Sequence, residues 1–279
     1  MQKSFEVSGP VELEIRLPAG AISIDPSLEG RVEIDLVAHD DESQRLVDEA
    51  RVELRDNSAR PQVNVILPQK RGFSFGFGRE GVSCIVRCPH GSSVSAKTKS
   101  ADLSASGTLG GLSFATASGD TNVERIDGSI NVKTASGDVQ AGEVSGGVNI
   151  QSASGDVTVE VARGPASVGS VSGDVTVEEA YDNLNTNTVS GDQDLRAVMR
   201  GNVSAQSVSG DVTIGVRRGS KVFLDCNTLS GDTSSDLEVS GDAPAGDGPL
   251  VEIRAKTVSG DIHITRAPAP AEHTTEVQS

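Results

Sequence analysis

Apolar and polar positions alternate along most of the chain, in two different ways. From residue 1 to about 92 the runs are irregularly spaced: Val11, Leu13, Ile15 and Leu17; Val32, Ile34 and Leu36; Val63, Val65 and Leu67. A period of two marks half-buried strands. Pro or Gly closes most of these runs, as at Pro18, Gly30, Pro68 and Pro89. Asp40 or Asp41 is placed to cap a short helix through about Glu49, with Leu46, Val47 and Ala50 on one side. Beyond about residue 93 the alternation becomes periodic. Ser-Gly-Asp begins at residues 118, 136, 154, 172, 190, 209, 230 and 259, preceded by the variant Ser100-Ala101-Asp102. The steps are 18 residues at first and lengthen only near the end.

A fixed step with late insertions predicts a solenoid, because insertions fall in loops and leave the stack intact. Two positions before each Ser stands Thr or Ser, as at Thr116, Thr134, Ser152 and Thr188, with Ala, Val or Leu between them. After the Asp come paired branched residues such as Val157/Val159 and Val212/Ile214. We expect Thr, Ser and Asp to point out, and the apolar residues and the Gly to point in. A second turn signal follows about nine residues on, as at Asp127-Gly128, Gly146-Gly147 and Gly164-Pro165. Each coil should therefore hold two or three short strands. The predicted class is all-β: a parallel β-solenoid, or β-helix, of about nine 18-residue coils with an N-terminal β-rich cap. Nine coils at about 4.8 Å each give a rod of roughly 43 Å. The expected parts are a capping region over 1–92 and the repeat domain over 93–266, with a loop insertion near 238–249 that takes up a further Ser-Gly-Asp at 240–242. A disordered tail should follow over 267–279.

Composition narrows the chemistry. Among 279 residues, 24 Lys and Arg face 40 Asp and Glu, a net charge of −16, which argues against nucleic acid as a partner. There is no Trp and one Tyr, so stacking platforms for sugars or bases are scarce. The opening residues have no apolar signal region, and no apolar run of about 18 residues exists to span a membrane. The expectation is a soluble, cytoplasmic protein. Cys84, Cys88 and Cys226 are odd in number, and the first two read as small core residues. The four His match no metal spacing, and no nucleotide or hydrolase motif occurs, so neither a metal nor a cofactor is expected.

Two features carry candidate chemistry. The first is a ladder of carboxylates: Asp102, Asp120, Asp138, Asp156, Asp174, Asp192, Asp211, Asp232 and Asp261. Such a column either binds a hard cation such as Ca²⁺ or accepts backbone N–H bonds within its own turns. Turn structure is the favoured reading, since the glycine-rich calcium-roll pattern is absent. The second is the run Arg71, Phe73, Phe75, Phe77 and Arg79, which either docks a partner protein or a membrane surface or covers the junction between cap and coils. An ice-binding hydroxyl face is disfavoured by the charged column beside it.

The Ser-Gly-Asp runs Thr134–Val139 and Ser170–Val175, the opening Phe5–Leu13 and the later Arg87–Gly91 resemble the bacterial putative-adhesin family of β-strand-repeat domains. The likeness spans roughly residues 5 to 265. It implies the repeat architecture and no reaction. The expected function is a non-enzymatic structural or interaction scaffold, presenting a repetitive Ser/Thr/Asp face to an unknown protein partner or to other copies of itself. A Ca²⁺-binding module is the alternative. A solenoid enzyme acting on polysaccharide is more remote, because like residues repeat along a line where catalysis needs unlike residues converging.

Overall fold

The computed structural model describes residues 1–55, 60–68, 81–237 and 248–267. The chain opens with β1 (Gln2–Glu6), β2 (Glu12–Asp25), β3 (Arg31–Val37), α1 (Asp41–Asp48), β4 (Arg51–Arg55), β5 (Gln62–Ile66) and β6 (Val82–Arg87). The repeats follow as β7 (Ser93–Leu109), β8 (Gly111–Ser118), β9 (Thr121–Ile126), β10 (Ile130–Ser136), β11 (Val139–Val144), β12 (Val148–Ser154) and β13 (Val157–Ala162). Next are β14 (Ala166–Ser172), β15 (Val175–Ala180), β16 (Leu184–Ser190), β17 (Gln193–Val198), β18 (Gly201–Gln206) and β19 (Val212–Val216). Last come β20 (Lys221–Ser230), β21 (Thr233–Ser235), β22 (Leu250–Ser259) and β23 (Ile262–Arg266).

Consecutive windings pair in parallel, residue against equivalent residue, as in Ile130↔Val148 and Val139↔Val157. The molecule is an all-β parallel solenoid. Most windings contribute two strands, each paired with its equivalents in the neighbouring windings, with the Ser-Gly-Asp corner between them; β2 and β7 each run through a whole winding as one strand. The 93–266 region forms nine windings, and two strands per winding suffice.

The N-terminal region does more than cap. β2 is a winding in its own right, pairing in parallel with β7 on one side and with β5 and β6 on the other. β5 and β6 make a further winding beyond it. A single inward column runs through all eleven: Val63, Leu13, Val94, Leu112, Ile130, Val148, Ala166, Leu184, Val203, Ile253 and Leu224. The covering is done by antiparallel strands, β4 on β5, β3 on β6 and β1 on β3. α1 closes the end. Asp40 caps it by accepting from the Ser43 N–H at 2.6 Å, and Val47 turns into the core. That bond is the main cause holding the Asp40 carboxyl below its usual range.

Neither end of the stack follows chain order. β2 lies between the windings made by later residues. At the other end, β22 and β23 insert between β18/β19 and β20/β21, leaving the earlier pair outermost. Windings 221–235 and 250–266 carry the same motif, so their order in space is not encoded in the repeat. The Ser240-Gly241-Asp242 copy lies outside the described residues, as does most of the tail. Ala267, expected to begin that tail, is instead buried beside Ala197 and Met199.

Candidate functional site

The Ser-Gly-Asp corner repeats most closely, and its geometry explains each residue. Gly155 has φ +136°, and a Cβ there would stand 2.3 Å from the Gly137 carbonyl oxygen of the neighbouring winding. Gly173 and Gly191 repeat the relation, each against the corner glycine before it. Only a residue without a side chain fits this approach. Asp follows because the turn leaves a backbone donor without a carbonyl. The N–H of Asp120 donates to Asp102 Oδ1 at 2.9 Å. The same bond links Asp138, Asp156, Asp174, Asp192 and Asp211, each to the Asp before it, at 2.8–2.9 Å. Asp261 then donates to Asp211 and Asp232 to Asp261, both at 2.8 Å, so the column follows the exchanged order. In return, the residue after each Asp donates to the next Asp carbonyl, as Val139 does to Asp156 at 2.9 Å.

The carboxylates therefore bridge windings, whereas the sequence reading has them folding back within their own turns. One oxygen of each, Asp232 excepted, is committed to a backbone N–H. Among the described residues, Asp232 tops the column with no winding beyond it. Among the described residues, no three His, Cys, Asp or Glu side chains gather closely enough to hold a metal ion.

The expected facing of the neighbouring columns is reversed. Thr116, Thr134, Ser152, Ser170, Thr188, Ser207 and Thr257 are buried, and the aliphatic residues after them point outward. Strict alternation carried back from Val139 would turn Ala135 inward. The corner shifts the phase: Thr134 faces in, Ala135 and Ser136 face out, and Val139 faces in again. Buried hydroxyls usually find partners; those of Thr134, Ser152 and Ser170 have none among the described residues, whereas that of Thr188 does. Thr188 Oγ1 donates to Gly191 O at 3.1 Å, shares a hydroxyl–hydroxyl hydrogen bond with Ser207 Oγ at 3.1 Å and accepts from Gln193 Nε2 at 2.9 Å. Gln193 also accepts from Thr186 Oγ1, making a polar knot inside the core.

What the corner shows to solvent is thus an aliphatic column beside Ser and Asp columns. Ala117, Ala135 and Ala153 give way to Val171, Val189, Val208, Val258 and finally Leu229, five residues between 46% and 83% exposed. These five follow one another in the stack, since Ser209 bridges to Ser259 and Ser230 pairs with Ser259. A shallow groove of about 460 Å³ runs beside the last of them, lined by Gln206, Val208, Leu229, Lys256 and Val258. The sequence reading missed this column because it assigned branched residues to the core on character alone. It also missed a chain of contacts on another side of the stack. There Glu143 pairs with Arg125 at 3.0 Å and with Arg163, whose guanidinium lies 5.2 Å from the centre of the Tyr181 ring. Arg71, Phe73, Phe75, Phe77 and Arg79 lie outside the described residues.

A stack of in-register windings with a glycine-aspartate corner defines a parallel β-solenoid repeat protein. The chain belongs to the Toastrack DUF4097 family, whose model matches residues 11–265. Similar solved structures include a putative adhesin from Bacteroides fragilis (15% identity, 95% of this chain and 96% of that chain, TM-score 0.49). A putative adhesin from Parabacteroides distasonis is also similar (13% identity, 94% and 96%, TM-score 0.46). So is a putative lipid binding protein from the same species (14% identity, 94% and 96%, TM-score 0.45). No match is found among curated proteins. Among the described residues no helix is long and apolar enough to cross a membrane.

Proposed function

We propose that the protein is a non-enzymatic interaction scaffold whose Ser-Gly-Asp corner presents a repeating face to a protein partner. The observation that carries this reading is the row Val171, Val189, Val208, Val258 and Leu229, about half exposed or more on five successive windings. An isolated exposed valine means little; a line of them at about 4.8 Å spacing is a contact surface. The Ser and Asp columns beside it supply polar edges, and the stack fixes the spacing without any ligand-induced ordering. Repetition of like side chains suits multivalent contact. The Thr row expected on this face supports it from beneath instead.

The test is photo-crosslinking in the native bacterium. A crosslinking residue at Val189 should capture a discrete partner, while the same residue at the exposed Glu160, away from the corner, should not. Equal capture from both positions, or none from Val189, overturns the reading. A cytoplasmic location belongs to this proposal, and fractionation of the same cells checks it.

A further inference from the structure

Among the described residues, the outermost winding is a bare edge. β20 pairs with β22 on one side only, and β21 with β23. The Lys221 N–H donates inward to Pro249 O at 2.9 Å. Backbone groups alternate along a strand, so those of Val222, Leu224 and Cys226 point away from the stack. Their side chains are only partly buried, and Phe223 is 56% exposed. An unpaired edge of this kind is a template for another strand.

The residues of this edge select what it pairs with. In an antiparallel pairing of β20 with itself, centred on Phe223, Lys221 stands opposite Asp225 and Asp225 opposite Lys221. Val222 and Leu224 then face each other as the hydrogen-bonded pairs, using the backbone groups that are free. Phe223 with Phe223, and the two Lys–Asp pairs, occupy the non-hydrogen-bonded sites, where side chains approach most closely. Backbone pattern, charge and apolar character all agree in this one register. It also joins Val222 and Leu224 of both chains into a continuous core. On a single chain Lys221 and Asp225 are about 13 Å apart along the strand, so neither serves the other.

We propose that two copies of the chain join end to end through antiparallel pairing of β20, centred on Phe223. This names a second partner for the scaffold and rests on the scaffold reading only in that a rigid stack presents the edge. The test uses purified full-length protein alone, so its outcome is independent of the crosslinking at Val189.

Sedimentation velocity from low micromolar to near-millimolar concentration should show a dimer. Lys221→Asp and Asp225→Lys each place like charges opposite one another and should weaken it about tenfold. The double variant restores both pairs and should recover most of that loss. Phe223→Asp should leave a monomer with an unchanged melting temperature. A wild-type monomer throughout, or a dimer indifferent to all four variants, overturns the proposal. So does a dimer weakened by each single charge reversal and not rescued by the double one.

Discussion

The two ends of the stack solve the same problem differently. Any last winding leaves strand edges and core side chains without a neighbour. At the N-terminal end, β3 and β4 pair with the last winding, α1 closes the core, and Leu13 and Val63 are at most 1% exposed. Of the outer strands there, β4 carries Arg51, Glu53 and Arg55, charges that discourage further pairing. At the other end β20 and β21 have no covering strand among the described residues, and every residue of β21 is exposed. Covering an end requires sequence that departs from the repeat, because an antiparallel strand and a helix cannot be built from the corner motif. The bare end keeps the motif and keeps its stickiness.

The middle of the stack should tolerate least. Gly155→Ala combines an unfavourable φ with a Cβ against a neighbouring carbonyl, and should cost about 4 kcal/mol from backbone strain plus overpacking. Gly219, beyond the last buried winding, has φ +84° with open space around it. Its replacement by Ala should cost only about 1 kcal/mol. Urea melts of the two variants measure the difference directly.

The contrast between the ends is sharpest within one column. Leu13→Ala should destabilise by about 3 kcal/mol, as expected for a fully buried leucine. Leu224→Ala, at the bare end of the same column, should cost about 1 kcal/mol, since its side chain is only partly buried. Equal losses would show that the last winding is covered in solution.

The carboxylates give a smaller effect with the same logic. Asp156→Ala removes the acceptor for the Asp174 N–H and should cost about 1 kcal/mol, the value of an exposed charged hydrogen bond. Asp232→Ala removes an acceptor that no winding among the described residues uses and should stay within about 0.5 kcal/mol of the parent.

The thiols separate the ends by reactivity. Burial pushes Cys84 up to about 12 and Cys88 up to about 11, whereas Cys226 at the bare edge is raised less and is only partly buried. At pH 8, in dilute protein, a maleimide should label Cys226 alone. Both buried thiols titrate above the ordinary thiol value of 9.0. Their contribution to stability is therefore complete below about pH 9 and declines as pH rises towards 12. An alkaline melt in which Cys84→Ala and Cys88→Ala flatten the decline checks this.

The eighteen-residue spacing made the middle windings readable, because Gly and Asp recur for a reason local to each corner. The facing of the Thr and Val columns was not readable from alternation, since the corner shifts its phase. β2 was hidden as a winding for another reason. Its corner reads Pro18-Ala19-Gly20-Ala21, without the motif, and its partners lie about 50 to 80 residues further on. The exchange of the last two windings leaves no trace in sequence. The strands competing for one place carry the same Thr-x-Ser-Gly-Asp, and only three-dimensional pairing distinguishes them. The candidate surface followed from these misjudged facings, so it became visible only once Val171, Val189 and Val208 were seen outside.

The stack runs in register, and its last two windings are exchanged. Spin labels on the exposed Ser118 and Ser230, compared with Ser118 and Ser259, test it in a Cys226→Ser background. At about 4.8 Å per winding, the Ser118–Ser230 distance should be roughly 34 Å and the Ser118–Ser259 distance roughly 29 Å. A longer distance to Ser259 than to Ser230 would contradict the account.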